Sequence, residues 1–107
     1  MRLRKEAFES EEIELISKVS DGLAHPARVK LYQYVMECNK DGKPVCTKDL
    51  VEAFDYSQAT ISQHMKKLVQ SGLVETKKQN KFTLYYANIG MLMMYLNATK
   101  KFSTFTR

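Results

Sequence analysis

The chain has 107 residues, 44% of them apolar and 27% charged, and its seventeen Lys and Arg against twelve Asp and Glu leave a formal charge of +5. This is the composition of one modest globular domain with an excess of charge that suits a polyanionic partner. No stretch nears the roughly 18 apolar residues of a membrane span, and the start MRLRKEAFESEE mixes both charge signs without an apolar core, so neither a membrane partner nor a signal peptide is expected and the cytoplasm is the expected compartment.

Acidic residues crowd the beginning of the chain: Glu6, Glu9, Glu11, Glu12 and Glu14. The first helix is expected over residues 11–23, where Ile13, Ile16, Val19 and Leu23 recur at steps of three and four with Leu15 beside them. In LAHPARVKLYQYVMEC, Pro26 suits the first turn of a second helix, because its missing N–H would find no intrahelical acceptor there. Val29, Leu31, Tyr32, Val35 and Met36 give that helix an apolar face, and the turn formers NKDGKP end it. A short third helix follows, with Thr47 as the expected N-cap, Asp49 favourably placed against the helix dipole, and Leu50, Val51 and Phe54 along it.

Asp55-Tyr56 reads as a brief turn, after which Ser57 caps a fourth helix with Ile61, Met65, Leu68 and Val69 on one side and Gly72 as its left-handed terminator. Then the period changes. Leu73 to Lys78 and Phe82 to Ala87 read as two strands around Gln79-Asn80-Lys81, with Phe82, Leu84 and Tyr86 alternating with Thr83 and Tyr85, and Asn80 able to take a positive φ at the tip. A last helix is expected over residues 89–102, with Met91, Leu92, Met94, Tyr95 and Leu96. The fold class is therefore mainly α with a β-hairpin wing, about five helices and two strands in the order ααααββα: a winged helix-turn-helix.

In such a fold the helix after the turn needs an apolar back and a polar front of short hydrogen-bonding side chains. With Ile61, Met65 and Leu68 turned inward, the helix displays Gln58, Ala59, Thr60, Ser62, Gln63, Lys66 and Lys67. Gln can bond adenine bidentately, Ser and Thr can meet bases or phosphate, and Ala can pack on a thymine methyl. Lys66 and Lys67 lie further along and suit phosphate. The wing tip adds Lys77, Lys78, Gln79, Asn80 and Lys81, which suit the backbone or the minor groove. A polar helix face is by itself compatible with plain solvation, and lysines on a hairpin also prevent edge pairing. It is their combination beside a helix-turn-helix that points to double-stranded DNA.

The segments GLAHPARVKLYQYV, CTKDLVEAF and SQATISQHMKKLVQSGLVETKKQNKFTLYYA resemble the ArsR/SmtB family of bacterial winged-helix repressors over about residues 15–96, most specifically in SQATISQHMKKLVQSGLV. The resemblance implies a homodimer seated on an imperfect palindrome and released by an effector. It places Ser57, Gln58, Ala59, Thr60, Ser62 and Gln63 in the major groove. It also implies a dimer interface built from the first and last helices, whose Ile13, Ile16 and Val19 and whose Met91, Leu92, Met94, Tyr95 and Leu96 are apolar surface that a small domain can hide in its own core or in a partner.

The chain departs from the family's metal-sensing members. Cys46 matches the first cysteine of their third-helix motif, but Lys48 occupies the second, and residues 89–102 hold no His or carboxylate. His25 replaces the acidic residue usual before the proline, and His64 lies in the fourth helix without a spaced partner. One thiolate is a poor start for a soft-metal site, so no metal or other cofactor is expected. Cys38 and Cys46 flank the 39–45 loop; they are ordinary reduced thiols or, alternatively, a redox pair whose oxidation alters the recognition motif. No enzyme is expected: four glycines form no phosphate-binding loop, and there is no nucleophile elbow or evident Cys–His or Ser–His–Asp grouping. The remaining alternative is a winged helix serving as a protein-interaction module.

Overall fold

The apolar spacings and caps produce the helices in turn, and the computed structural model describes them over residues 7–106. Met1 to Glu6, part of the start where no signal peptide is expected, and Arg107 lie outside those residues. The elements are α1 (Ser10–Leu23), α2 (Pro26–Lys40), β1 (Val45–Cys46), α3 (Thr47–Ala53), α4 (Gln58–Gln70), β2 (Val74–Gln79), β3 (Phe82–Ala87), α5 (Ile89–Lys100) and a closing 3₁₀ turn, Lys101–Phe105.

Capping side chains set several helix starts. Pro26 is the first residue of α2, and the His25 ring caps it, Nδ1 accepting the Ala27 N–H at 3.0 Å. Ser57 caps α4 by accepting the Thr60 N–H at 3.2 Å. Gly72, just past α4, has a φ of +87°, and Asn80 in the hairpin turn has a φ of +57°.

The cap of α3 differs from the expectation. It is Cys46, whose N–H donates to the Asp49 carboxylate at 2.9 Å, while Thr47 is already helical and its hydroxyl pairs with that of Tyr85 at 3.1 Å. A carboxylate three residues into the helix can reach back to the cap, and this outranks the hydroxyl one residue later.

The sheet has a third strand beyond the expected hairpin. In the antiparallel order β1-β3-β2, Val45 faces Tyr85 and Cys46 faces Leu84, while Val74 to Gln79 pair with Ala87 to Phe82. The phase of β3 is the reverse of the expected one: Tyr85 is buried, with its hydroxyl against that of Thr47 in α3, whereas Phe82 is exposed.

The core gathers Val19, Leu31, Val35, Leu50, Ile61, Met65, Leu68 and Leu73 from α1, α2, α3, α4 and the start of the wing. Each such side chain removed from water contributes on the order of 1.5–3 kcal/mol. α1 crosses α4 so closely that a Cβ on Gly22 would stand 2.5 Å from the Cβ of the buried Ser71. The same Ser71 donates to the Leu68 carbonyl at 2.6 Å and accepts the Leu73 N–H at 3.1 Å, fixing where the wing leaves α4.

Candidate nucleic-acid interface

The front of α4 follows from its back. Ile61, Met65 and Leu68 are wholly buried, so the rotation of the helix is fixed and Gln58, Ala59, Ser62, Gln63, Lys66 and Lys67 stand exposed. Two of the expected groove residues have local work. The Ser57 hydroxyl is exposed but occupied in capping, and it donates to the half-buried Thr60 Oγ1 at 3.0 Å. Around the turn before α4, the rings of Phe54 and Tyr56 stack with centroids 6.3 Å apart, and Tyr34 meets Phe54 edge-on at 5.5 Å. These rings tie the turn between α3 and α4 to α2.

The wing carries its lysines outward. Of β2 only Val74 is buried, leaving Lys77 and Lys78 exposed, and Lys81 stands exposed in the two-residue turn. Lys77 lies 6.0 Å from the centroid of the Tyr86 ring. Between wing and helix runs a cleft of about 410 Å³ whose lining includes Lys48, Gln58, Ser62 and Lys81. On the other flank of α4 a second cleft, of about 370 Å³, is lined by Arg28, Gln63, His64, Lys66, Lys67 and Gln70.

The sequence reading missed Arg28 and the two histidines as parts of this surface. Arg28 is anchored by donating its Nε to the Gly22 carbonyl at 2.7 Å and an Nη to that of Asp21 at 3.2 Å; its other Nη lies 3.4 Å from His64 Nδ1. The His25 and His64 rings sit 4.7 Å apart. Partial burial, then His25, then Arg28 push the His64 imidazole below the usual histidine range.

The thiols face different clefts. Cys38 lines one with Tyr34, Val45 and Asp49, Cys46 lines the wing-side cleft, and both are free. Among the described residues no group of three or more His, Cys, Asp and Glu side chains is placed to hold a metal ion.

At the opposite end, α1 packs on α5, joined by the Ser20 and Tyr95 hydroxyls at 2.9 Å. Of the apolar residues expected at an interface, Ile13, Met94 and Leu96 are exposed, while Ile16, Met91, Leu92 and Tyr95 are half-buried. Val19 belongs to the core instead: it is 0% exposed in the single chain, because α4 and α2 close over that turn of α1. An apolar groove of about 760 Å³ runs between α2 and α5, lined by Leu23, Val29, Tyr32, Met36, Leu92 and Tyr95 among others.

Residues 23–77, just over half of the chain, match the family model described as a helix-turn-helix domain. Over 73 residues the chain is 36% identical to the arsenical resistance operon repressor of Staphylococcus xylosus, covering 68% of this chain and 65% of that protein. The chain belongs to the ArsR-like winged helix-turn-helix family. The arsenical resistance operon repressor of Staphylococcus aureus is 44% identical over 48 residues, 45% of this chain and 46% of that protein, so the matched part spans less than two thirds of either relative. Among solved structures, an ArsR-like transcriptional regulator from Rhodococcus sp. RHA1 superposes with a TM-score of 0.75 at 17% identity, covering 88% of this chain and 84% of that one. A likeness at that identity shows the shared fold, and the ArsR-like arrangement of wing and α4 is the frame on which the exposed side chains above are mounted.

Proposed function

We propose that this chain is a dimeric, sequence-specific DNA-binding repressor working in the cytoplasm, with residues 1–107 acting as one domain. The observation that carries this reading is the exposed face of α4, with amides, a small side chain and lysines held outward by the buried Ile61, Met65 and Leu68, beside a lysine-bearing wing. Gln58, Ala59, Ser62 and Gln63 face base edges in the major groove; Ser57 and Thr60 set the helix start that presents them. Lys66, Lys67, Lys77, Lys78 and Lys81 meet phosphates. The likeness to two staphylococcal operon repressors supports repression as the output.

A twin subunit meets this one through the apolar residues of α1 and α5, setting two recognition helices about one DNA turn, roughly 34 Å, apart on an imperfect palindrome. Release depends on an effector other than a metal bound at the family's cysteine pair, since Lys48 stands where the second thiolate is needed. The protein acts as a regulator and not as an enzyme.

The test is to select bound duplexes from a random pool and titrate salt. Affinity is expected to fall steeply as salt rises, because phosphate contacts release counterions. Gln63→Ala should cost about 1–3 kcal/mol on the selected site and little on random DNA, while Lys66→Ala weakens both alike and lowers the salt slope by about 1. A winged helix serving protein contacts alone would show no such salt dependence.

A further inference from the structure

The two clefts beside α4 differ in one respect: the wing-side cleft is lined by the exposed Lys48 and Lys81, whereas the cleft toward α2 is built around a guanidinium anchored by hydrogen bonds. Arg28 is held by the two carbonyls that close α1, Gly22 and Asp21, and reaches His64 on α4. Lys66, Lys67, Gln63 and Gln70 complete the lining, and among the described residues no carboxylate lines it. Gln63 and Lys66 belong both to this cleft and to the outward face of the recognition helix. A helix lying in the major groove has a phosphate backbone along each flank, so a cationic cleft on the flank away from the wing lies where the second strand would pass.

We propose that this cleft seats a DNA backbone phosphate between Arg28, His64 and Lys67, and that His64 takes up a proton when it does so. The inference rests on the DNA-binding reading above and adds to it a proton-linked contact.

The chemistry follows from what surrounds the imidazole. In the free protein Arg28 can only donate, so His64 Nδ1 facing it at 3.4 Å is an acceptor and the ring is neutral. His25 faces the ring from the start of α2 and Tyr56 from the turn before α4, their ring centroids 4.7 and 6.4 Å away. Lys66 and Lys67 share its cleft, and Asp21 contributes its backbone carbonyl to Arg28. Partial burial first, then His25 and then Arg28 make a charged imidazole unfavourable and hold its pKa low. A backbone phosphodiester, with its single negative charge, reverses the balance: its two non-bridging oxygens accept from Arg28 and from a protonated His64 at once, turning a donor–donor clash into a shared acceptor. The proton comes from solvent, and no bond other than N–H is made. Because binding raises the His64 pKa, the complex holds more protons than the free partners, and affinity must rise as pH falls through the window between the two values.

The experiment measures affinity of the full chain for a random-sequence duplex at fixed ionic strength from about pH 8 to about pH 6, for the parent and for His64→Gln. The parent should tighten by about three- to tenfold over that range, the ceiling for one proton being tenfold per pH unit. Its salt slope should also be steeper at the acid end, by up to about 0.9 for one added phosphate partner. His64→Gln, with thermal unfolding checked to show it folds, should lose both trends, whatever its absolute affinity. Equal pH dependence in parent and variant, or none in the parent, overturns the proposal while leaving salt-dependent DNA binding intact. Replacing chloride by inorganic phosphate at matched ionic strength should leave the trend in place; its abolition would assign the cleft to a soluble anion instead. Absence of salt-dependent binding at every pH would remove the DNA reading and this contact with it.

Discussion

Around α4 and the hairpin the exposed side chains include Gln58, Ser62, Gln63, Lys66, Lys67, Lys77, Lys78 and Lys81, with Phe82 as an apolar exception, whereas along α1 and α5 Ile13, Ile89, Met93, Met94 and Leu96 stand about half exposed. Both surfaces belong to helices that bury their other faces in one shared core. What differs is the medium each is suited to meet. Amides and ammonium groups at the α4 end keep their hydration until a better-placed polyanion displaces it. Apolar side chains at the α1–α5 end gain on the order of 25 cal/mol for each Å² withdrawn from water, so that end gains by meeting another apolar surface. The joint between the two is narrow: Gly22 of α1 against Ser71 at the end of α4.

The contrast can be broken most severely at the apolar end. Met94→Glu with Leu96→Glu places carboxylates on residues 56% and 49% exposed in the single chain, which the fold tolerates and a dimer interface does not. An unpaired buried polar group costs about 1–3 kcal/mol by mutation, so two of them should weaken self-association by about 100-fold or more. Sedimentation across a concentration series reads this directly. A variant that remains as dimeric as the parent would show that the partner sits elsewhere.

A smaller effect is expected at the joint. In Gly22→Ala the new Cβ would lie 2.5 Å from Ser71 Cβ and 2.7 Å from its Oγ, so α1 must shift away from α4. Overpacking of this kind costs about 1–3 kcal/mol, or roughly 4–8 °C in Tm for each kcal/mol in a domain of this size. Unchanged thermal unfolding would mean that the two helices are not held by this contact.

The smallest change belongs to the ion pair at the apolar end, Lys101 Nζ to Glu12 Oε1 at 2.6 Å, with both side chains about a quarter exposed. The Glu12 carboxyl is held below its usual range first by the Glu9 N–H and then by Lys101. A lowered folded-state carboxyl pKa contributes stability above the unfolded value and loses it as pH falls through the folded one. Lys101→Met should therefore leave Tm near neutrality almost unchanged and lessen the decline on acidification, as thermal melts along a pH series would record. A large loss at neutral pH would instead give this exposed pair a weight that solvent screening does not allow.

Sequence alone determined the parts of this protein that depend on neighbours along the chain. The 3.6-residue spacing of Ile61, Met65 and Leu68, with Ser57 as cap and Gly72 as terminator, placed α4 and fixed which side chains it turns outward; Pro26 marked the start of α2, and Asn80 the hairpin tip. Tertiary structure decided whatever depends on residues far apart in sequence. Two residues, Val45 and Cys46, carry no readable period and become a strand only because β3 lies beside them. Val19 left the expected interface because α2 and α4 cover it. Arg28 and His64, 36 positions apart, meet only where the start of α2 and the side of α4 are packed together. Local spacing fixes the direction in which a side chain points, but only packing fixes what it meets there.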